Sequence, residues 1–152
     1  MKQYNQKRNF DKTPEPAGKI SKSTRQLRFV VQHHFASREH YDFRLERDGA
    51  LKSWAVPKGP STNPADKRLA VQVEDHPLAY RNFEGIIPEG QYGAGTVSIW
   101  DEGTYEVREW KDGSIKITLH GRKLTGRWAL VRMNDGKDKN WLLMKEKNEK
   151  GE

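Results

Sequence analysis

"HYDFRLERDGALKSWAVP", residues 40–57, decides the fold. Asp48-Gly49 is a two-residue hairpin signal, because a tight hairpin turn needs positive φ at both central residues. Polarity alternates with a period of two on either side of it, as in a half-buried strand. Pairing outward from the turn sets Leu45 opposite Lys52, Phe43 opposite Trp54 and Tyr41 opposite Val56. That face is the core face. The other carries His40, Asp42, Arg44 and Glu46 over Pro57, Ala55, Ser53 and Leu51, so ionisable groups stand over a floor of mostly small residues.

Similar β-rich runs continue along the chain: "LRFVVQHH" (27–34), "RLAVQVE" (68–74), "GTVSIWD" (95–101), "GTYEVREW" (103–110), "SIKITLHG" (114–121), "GRWALVRM" (126–133) and "WLLMKEK" (141–147). Turn signals separate them, among them Pro57-Lys58-Gly59-Pro60, Asp101-Glu102-Gly103, Asp112-Gly113, His120-Gly121 and Asp135-Gly136. In "RLAVQVE", Leu69, Val71 and Val73 are expected to pack inward. "NPADKR" (63–68) has room for one helical turn. Seven to nine short strands at this spacing predict a mainly β protein, a compact antiparallel β-barrel with short helical segments.

The 152 residues suit one domain. The expected division is a flexible basic N-terminal arm over 1–24, the barrel over 25–147 and a tail over 148–152. Cysteine is absent, which excludes disulfides and thiolate metal sites. No signal peptide or long apolar run is present, so a cytoplasmic location without membrane contact is expected. Of the net charge of +7, residues 1–24 carry +4, from six Lys/Arg and two Asp/Glu. Such an arm suits a polyanion, and it equally suits a solvated terminus.

The histidines concentrate where the hairpin begins. His33, His34 and His40 lie within eight residues, and His40 and Asp42 at i, i+2 share a strand face. His34 folds back toward them through "FASRE". Two imidazoles and a carboxylate leave coordination positions open. Without thiolate, this N/O set suits manganese, iron or zinc. It is also the ligand set of non-haem Fe(II) oxygenases, although those draw their last histidine from further downstream. Arg44, Lys58 and Arg68, with His76 at the end of "RLAVQVE", supply a phosphate-gripping set around it. The bland reading of these groups is the solvated face of an amphipathic strand. Trp54, Trp100, Trp128 and Trp141 lie in strand-like runs and read as core. "PEGQYGAGT" (88–96) reads as a tight turn bordering the site, and His120 as structural or exposed.

"HHFASREHYDFRLERDGALKSWAVPKGPS" (33–61), "KRLAVQVEDHPLAYRNFEGIIPEGQYGAGTVSIWDEGTYE" (67–106) and the closing "GRWALVRM" and "WLLMKEK" closely resemble the 3′-phosphoesterase domain of bacterial DNA ligase D in its stand-alone form. The leader "KRNFDKTPEPAG" (7–18) resembles that of the family. The resemblance implies a manganese-dependent hydrolase of DNA repair by non-homologous end joining, with Co²⁺ or Zn²⁺ as other divalent metals. It implies removal of a 3′-terminal ribonucleoside and then of the 3′-phosphate, leaving a 3′-hydroxyl on a DNA primer–template. By the same resemblance the metal ligands are His34, His40 and Asp42, and the catalytic residues are these with Arg44 and His76. The phosphate-binding set is Arg44, Lys58, Arg68, His76 and Tyr80, backed by Gln32, Ser53 and Glu74. His33 has no implied role. The polymerase and ligase modules that often accompany this domain are absent from the sequence, so a monomer working with separate DNA ligase, polymerase and end-binding repair proteins is expected. The competing class is a non-catalytic barrel that binds single strands or ends.

Overall fold

The computed structural model describes residues 1–19 and 26–147. The expected tail, 148–152, and the expected boundary between arm and barrel lie outside them. Among the described residues nine strands form one antiparallel sheet: β1 Arg28–Phe35, β2 His40–Arg47, β3 Ala50–Val56, β4 Arg68–His76, β5 Gly85–Ile87, β6 Gly95–Lys111, β7 Ser114–Gly121, β8 Thr125–Arg132 and β9 Asn140–Lys145. The order is β1-β2-β3-β4-β9-β8-β7-β6-β5, and β1 also pairs with β6. That pairing closes eight strands into a barrel and leaves β5 as a short strip on β6. The helical segments are α1 Lys2–Gln6 and a 3₁₀ turn at Leu78–Asn82; "NPADKR" forms a turn and the start of β4.

The opening hairpin has the expected register, with Tyr41 opposite Val56, Phe43 opposite Trp54 and Leu45 opposite Lys52. Asp48 and Gly49 take φ of 53° and 82°, the paired positive values that match the twist of the flanking strands. Phe43, Leu45, Trp54 and Val56 point into the barrel with Phe29, Val31, Ile117, Leu119, Trp128, Leu130 and Trp141. Trp54 meets Trp141 edge to face, ring centroids 5.7 Å apart, the arrangement that ring quadrupoles favour. Trp54, Trp128 and Trp141 are buried and Trp100 packs partly buried against them, so the reading of these four as core holds.

Two local expectations are corrected. Asp101-Glu102-Gly103 is not a turn; it lies inside the single long strand β6. There β6 passes from pairing with β1 to pairing with β7, and a Cβ on Gly103 would sit 2.1 Å from the His120 carbonyl oxygen. The glycine serves a close backbone approach rather than a reversal. In β4 the inward residue is Ala70, opposite Trp141, while Leu69 is largely exposed and Val73 faces outward. Two neighbouring indoles fill the barrel there, so the small residue goes inside.

The outer face of β1–β4 is itself covered. Tyr4 of α1, Leu51, Tyr80, Phe83, Ile87 and Val97 form a second apolar cluster upon it. Far from being free of the domain, residues 1–19 strap this face: Tyr4 is fully buried, and its hydroxyl donates to the Pro16 carbonyl at 2.5 Å.

Candidate metal centre

β1 and β2 pair so that His34 lies directly opposite His40. Residues two apart on a strand share a face, so Asp42 and Arg44 follow His40 along the outer wall. On β3, Ser53 and Ala55 keep the floor low opposite Arg44 and Asp42. On β4, Glu74 and Asp75 together oppose a single residue, since Leu51 pairs with His76 and Ser53 with Val73. This bulge keeps His76 on the same side as Val73, where strict alternation would turn it into the barrel.

The two imidazoles of the cluster are oriented alike. His34 Nε2–H donates to the Gly93 carbonyl at 2.7 Å, and His40 Nδ1–H donates to the Arg38 carbonyl at 3.0 Å. A carbonyl only accepts, so each ring turns its other nitrogen, a lone pair, inward. These nitrogens lie 3.3 Å apart. Asp42 adds Oδ1 at 3.2 Å from His40 Nε2 and Oδ2 at 3.7 Å from His34 Nδ1. The candidate ligand atoms of the three residues all lie within 4.8 Å of one another. Two lone pairs and a carboxylate facing each other repel unless a cation lies among them. Imidazoles that give their far N–H to backbone carbonyls are the usual supports of a metal site. The residues therefore fit a divalent metal.

The protonation states agree. Burial alone would raise Asp42, but Arg44 and the imidazoles outweigh it and hold the carboxyl far below the ordinary range. Burial pulls His40 down, yet the Asp42 hydrogen bond and charge leave it raised above 6.5, so in the absence of metal a proton competes for the same position.

A cavity of about 190 Å³ opens beside the cluster, lined also by Arg8, Arg44, Glu74, His76, Tyr80 and Tyr92. Arg44 Nε donates to Gln32 Oε1 at 2.6 Å, and its guanidinium lies over the Tyr80 ring at 4.9 Å. Gln32 in turn donates to the carbonyls of Tyr80 at 2.7 Å and Phe83 at 3.1 Å. The remaining Arg44 nitrogen, Nη1, is buried without a hydrogen-bond partner among the described residues. An orphaned guanidinium N–H in a cavity suits an anion. His76 Nδ1–H donates to the Glu74 carbonyl at 3.0 Å, leaving Nε2 to accept from Arg8 Nη2 at 3.4 Å. Burial, with Arg44 and Arg8 nearby, holds His76 well below 6.5, as a neutral ring.

Among the residues singled out from sequence, the structure brings His34, His40, Asp42, Arg44, Glu74, His76 and Tyr80 together around this cavity. Gln32 lies beneath it as the support of Arg44. Ser53 is buried opposite Arg44, its hydroxyl spent on the Leu51 carbonyl at 3.0 Å. Lys58 is exposed and Arg68 lies 3.6 Å from Asp66, and neither lines the cavity. "PEGQYGAGT" does border it, through the Gly93 carbonyl and Tyr92. Sequence reading missed Arg8 and Glu15. Arg8 stacks 3.8 Å over Tyr4 and pairs with Glu15 at 3.0 Å, while Tyr80 donates to the same Glu15 oxygen at 2.7 Å. The available signal was the aromatic residues Tyr4 and Phe10 in an otherwise polar leader.

Fold and site together define a small antiparallel barrel that carries a candidate metal centre on its outer wall, beside a cavity lined by Arg44 and Arg8. The chain belongs to the DNA ligase D 3′-phosphoesterase domain family, whose model matches residues 32–132. It is 55% identical over 156 residues to the multifunctional non-homologous end joining protein LigD of Pseudomonas aeruginosa, covering 97% of this chain and 19% of that protein. It is 47% identical over 155 residues to the LigD protein of Mycobacterium bovis, covering 99% of this chain and 20% of the relative. With the LigD protein of Mycolicibacterium smegmatis it shares 46% identity over 159 residues, covering 97% and 20%. The chain thus spans about a fifth of the length of these relatives. The resemblance read from the sequence is shown by these matches. No helix among the described residues is long and apolar enough to cross a membrane.

Proposed function

We propose that this chain is a divalent-metal-dependent phosphoesterase of DNA 3′ ends, which removes a terminal ribonucleoside and then the 3′-phosphate to leave a 3′-hydroxyl. The observation that carries the reading is Arg44 Nη1, a buried donor with no hydrogen-bond partner among the described residues, beside a cluster of three side chains able to hold a metal ion. Family membership supports it.

His34, His40 and Asp42 would hold the metal, manganese first, with cobalt or zinc as substitutes. When bound, it supplies Lewis-acid polarisation of a phosphoryl oxygen and a water acidic enough to attack at neutral pH. Arg44 takes phosphate oxygens with Nη1 and Nη2 and offsets charge that grows in the transition state. Gln32 fixes the plane of that guanidinium. Arg8 brings a second cation, held by Glu15 and by the His76 lone pair. Tyr80 walls the cavity and ties the strap to the site through Glu15. Lys58 and Arg68 stand at the end of the barrel where His40 begins β2, as the pairings of Tyr41 with Val56 and Ala55 with Val71 require. There they attract the incoming strand.

The reading carries a cytoplasmic protein that acts on DNA primer–template ends alongside ligase, polymerase and end-binding activities. The test is a 5′-labelled primer–template ending in one ribonucleotide, incubated with Mn²⁺ or with chelator and resolved on a sequencing gel. Stepwise shortening to a 3′-phosphate and then a 3′-hydroxyl, only with metal, is expected. A primer that is shifted in a binding gel but never shortened would make the chain an end-binding module instead.

A further inference from the structure

At the end of the sheet beside the metal cluster, the face opposite the cavity carries two exposed apolar side chains, Phe35 and Ile86. His34 on β1 and Ile87 on β5 line the cavity. Their neighbours Phe35 and Ile86 therefore point to the opposite side of the same sheet. Both pair with Thr96 of β6, so Phe35, Thr96 and Ile86 form one row across three strands. Phe35 is 49% exposed and Ile86 68%. No inward core covers them, because β1, β5 and β6 here run past the packed end of the barrel.

The row continues as a ladder of rings. Phe35 lies 3.9 Å from His33, and His33 stacks on Tyr41 at 4.2 Å with the planes 2° apart. Tyr41 meets Trp100 edge to face at 5.6 Å, and Lys123 stands 4.3 Å over Trp100. Gly59 is pressed against Tyr41, where a Cβ would come within 2.8 Å of its ring, and this sets exposed Lys58 beside the ladder. His33, which has no part in the metal cluster, is held in the ladder by Glu39 at 2.5 Å. Phe35 is the exposed ring at the end of this ladder, while His33, Tyr41 and Trp100 are partly buried and back it. An exposed ring with lysines beside the ladder, on a chain of net charge +7, matches a stacked base and the phosphates of a single strand.

We propose that Phe35, with Ile86 beside it and the His33–Tyr41–Trp100 ladder behind it, is a base-stacking track for the DNA strand whose 3′ end occupies the metal site. The inference rests on the 3′-end reading above. The terminal phosphate enters the cavity on one side of β1, and the preceding nucleotides, unpaired from the template, pass over the rim onto the other. Phe35 and Ile86 touch no reacting atoms, so they act on strand binding and not on the chemical step.

The experiment compares wild type, Phe35→Ser/Ile86→Ser and Phe35→Tyr. Each is given a single-stranded oligonucleotide with a 3′-phosphate and a deoxynucleoside 3′-phosphate, which has no preceding base. Both positions are exposed, so the melting temperature of the barrel should hold. For the double variant, KM on the oligonucleotide should rise roughly 5- to 100-fold, the span of one lost base–aromatic stack, with kcat unchanged. Kinetics on the mononucleotide should not move, and Phe35→Tyr should behave as wild type. An unchanged KM on the oligonucleotide, or an equal loss on both substrates, overturns the track. Fluorescence anisotropy of the labelled oligonucleotide runs alongside. If no protein turns over either substrate, the phosphoesterase reading fails, and anisotropy alone decides the track: weaker binding by the double variant supports it, equal binding overturns it.

Discussion

Arg8 and His76 meet across the outer wall of the barrel, Nη2 to Nε2 at 3.4 Å, although 68 residues separate them in the chain. The contact makes the leading segment part of the site. Burial, with the Arg44 and Arg8 charges beside it, keeps His76 neutral, and its free lone pair is then open to that arginine.

The strap is anchored by Tyr4, whose ring is fully buried under Arg8 and beside His76 and Tyr80. Tyr4→Ala should cost about 3 kcal/mol, as for other large-to-small changes at buried aromatics. The loss should fall on strap docking, because the barrel has its own core. Hydrogen exchange should show faster exchange in the amides of residues 1–19 with little change in β7 and β8, together with a lower kcat/KM.

Gln32 joins Arg44 to the backbone of the 3₁₀ turn. Gln32→Leu keeps the volume but strips partners from Arg44 Nε and from two carbonyls, so stability should drop by on the order of 2 kcal/mol or more. Phosphatase kcat should fall by about tenfold, equivalent to about 1.4 kcal/mol of transition-state stabilisation. Arg44→Lys should be impaired as well, because a point charge does not reproduce the fork. Denaturant melts and steady-state kinetics check both.

The depressed His76 predicts the direction of one pH effect. A group whose folded value lies below its unfolded 6.5 binds more protons when unfolded. Its contribution is fully present above about pH 6.5 and is lost as pH falls from there toward the folded value. Chelated wild-type protein should therefore lose stability on acidification below that point, and His76→Gln should show a flatter profile. Urea midpoints measured across that range would show it.

Much of the fold was legible because the hairpin carries its own register: Asp48-Gly49 fixes the turn, and Phe43 and Trp54 fix the face. The clustering of the candidate ligands was legible for the same reason, since period-two alternation puts His40, Asp42 and Arg44 in line. The errors fall where backbone geometry overrides local composition. Asp101-Glu102-Gly103 has turn composition, yet Gly103 is required by the His120 carbonyl. In β4 both faces are apolar, so pattern alone does not choose between Ala70 and Val71, and the bulge at Glu74 and Asp75 has no sequence signature. The strap was illegible as structure because a polar, proline-bearing leader has no period. Its contacts, Arg8 to Glu15 and Tyr4 to Pro16, are set by tertiary packing.

The proposed metal site makes a titration prediction. His40 is raised above 6.5 and must lose its proton to become a ligand. Mn²⁺ binding at neutral pH should release protons, and its affinity should weaken as pH falls. Calorimetry in buffers of different ionisation enthalpy measures the release directly.

The most direct measurement is phosphate release from a 3′-phosphate DNA end as Mn²⁺ is titrated, for wild type and Asp42→Ala. The account predicts a saturable rise with metal in wild type, no release in chelator, and loss of activity in Asp42→Ala while its melting curve stays cooperative. Undiminished release by Asp42→Ala, or release by wild type in chelator, would contradict a metal centre at His34, His40 and Asp42.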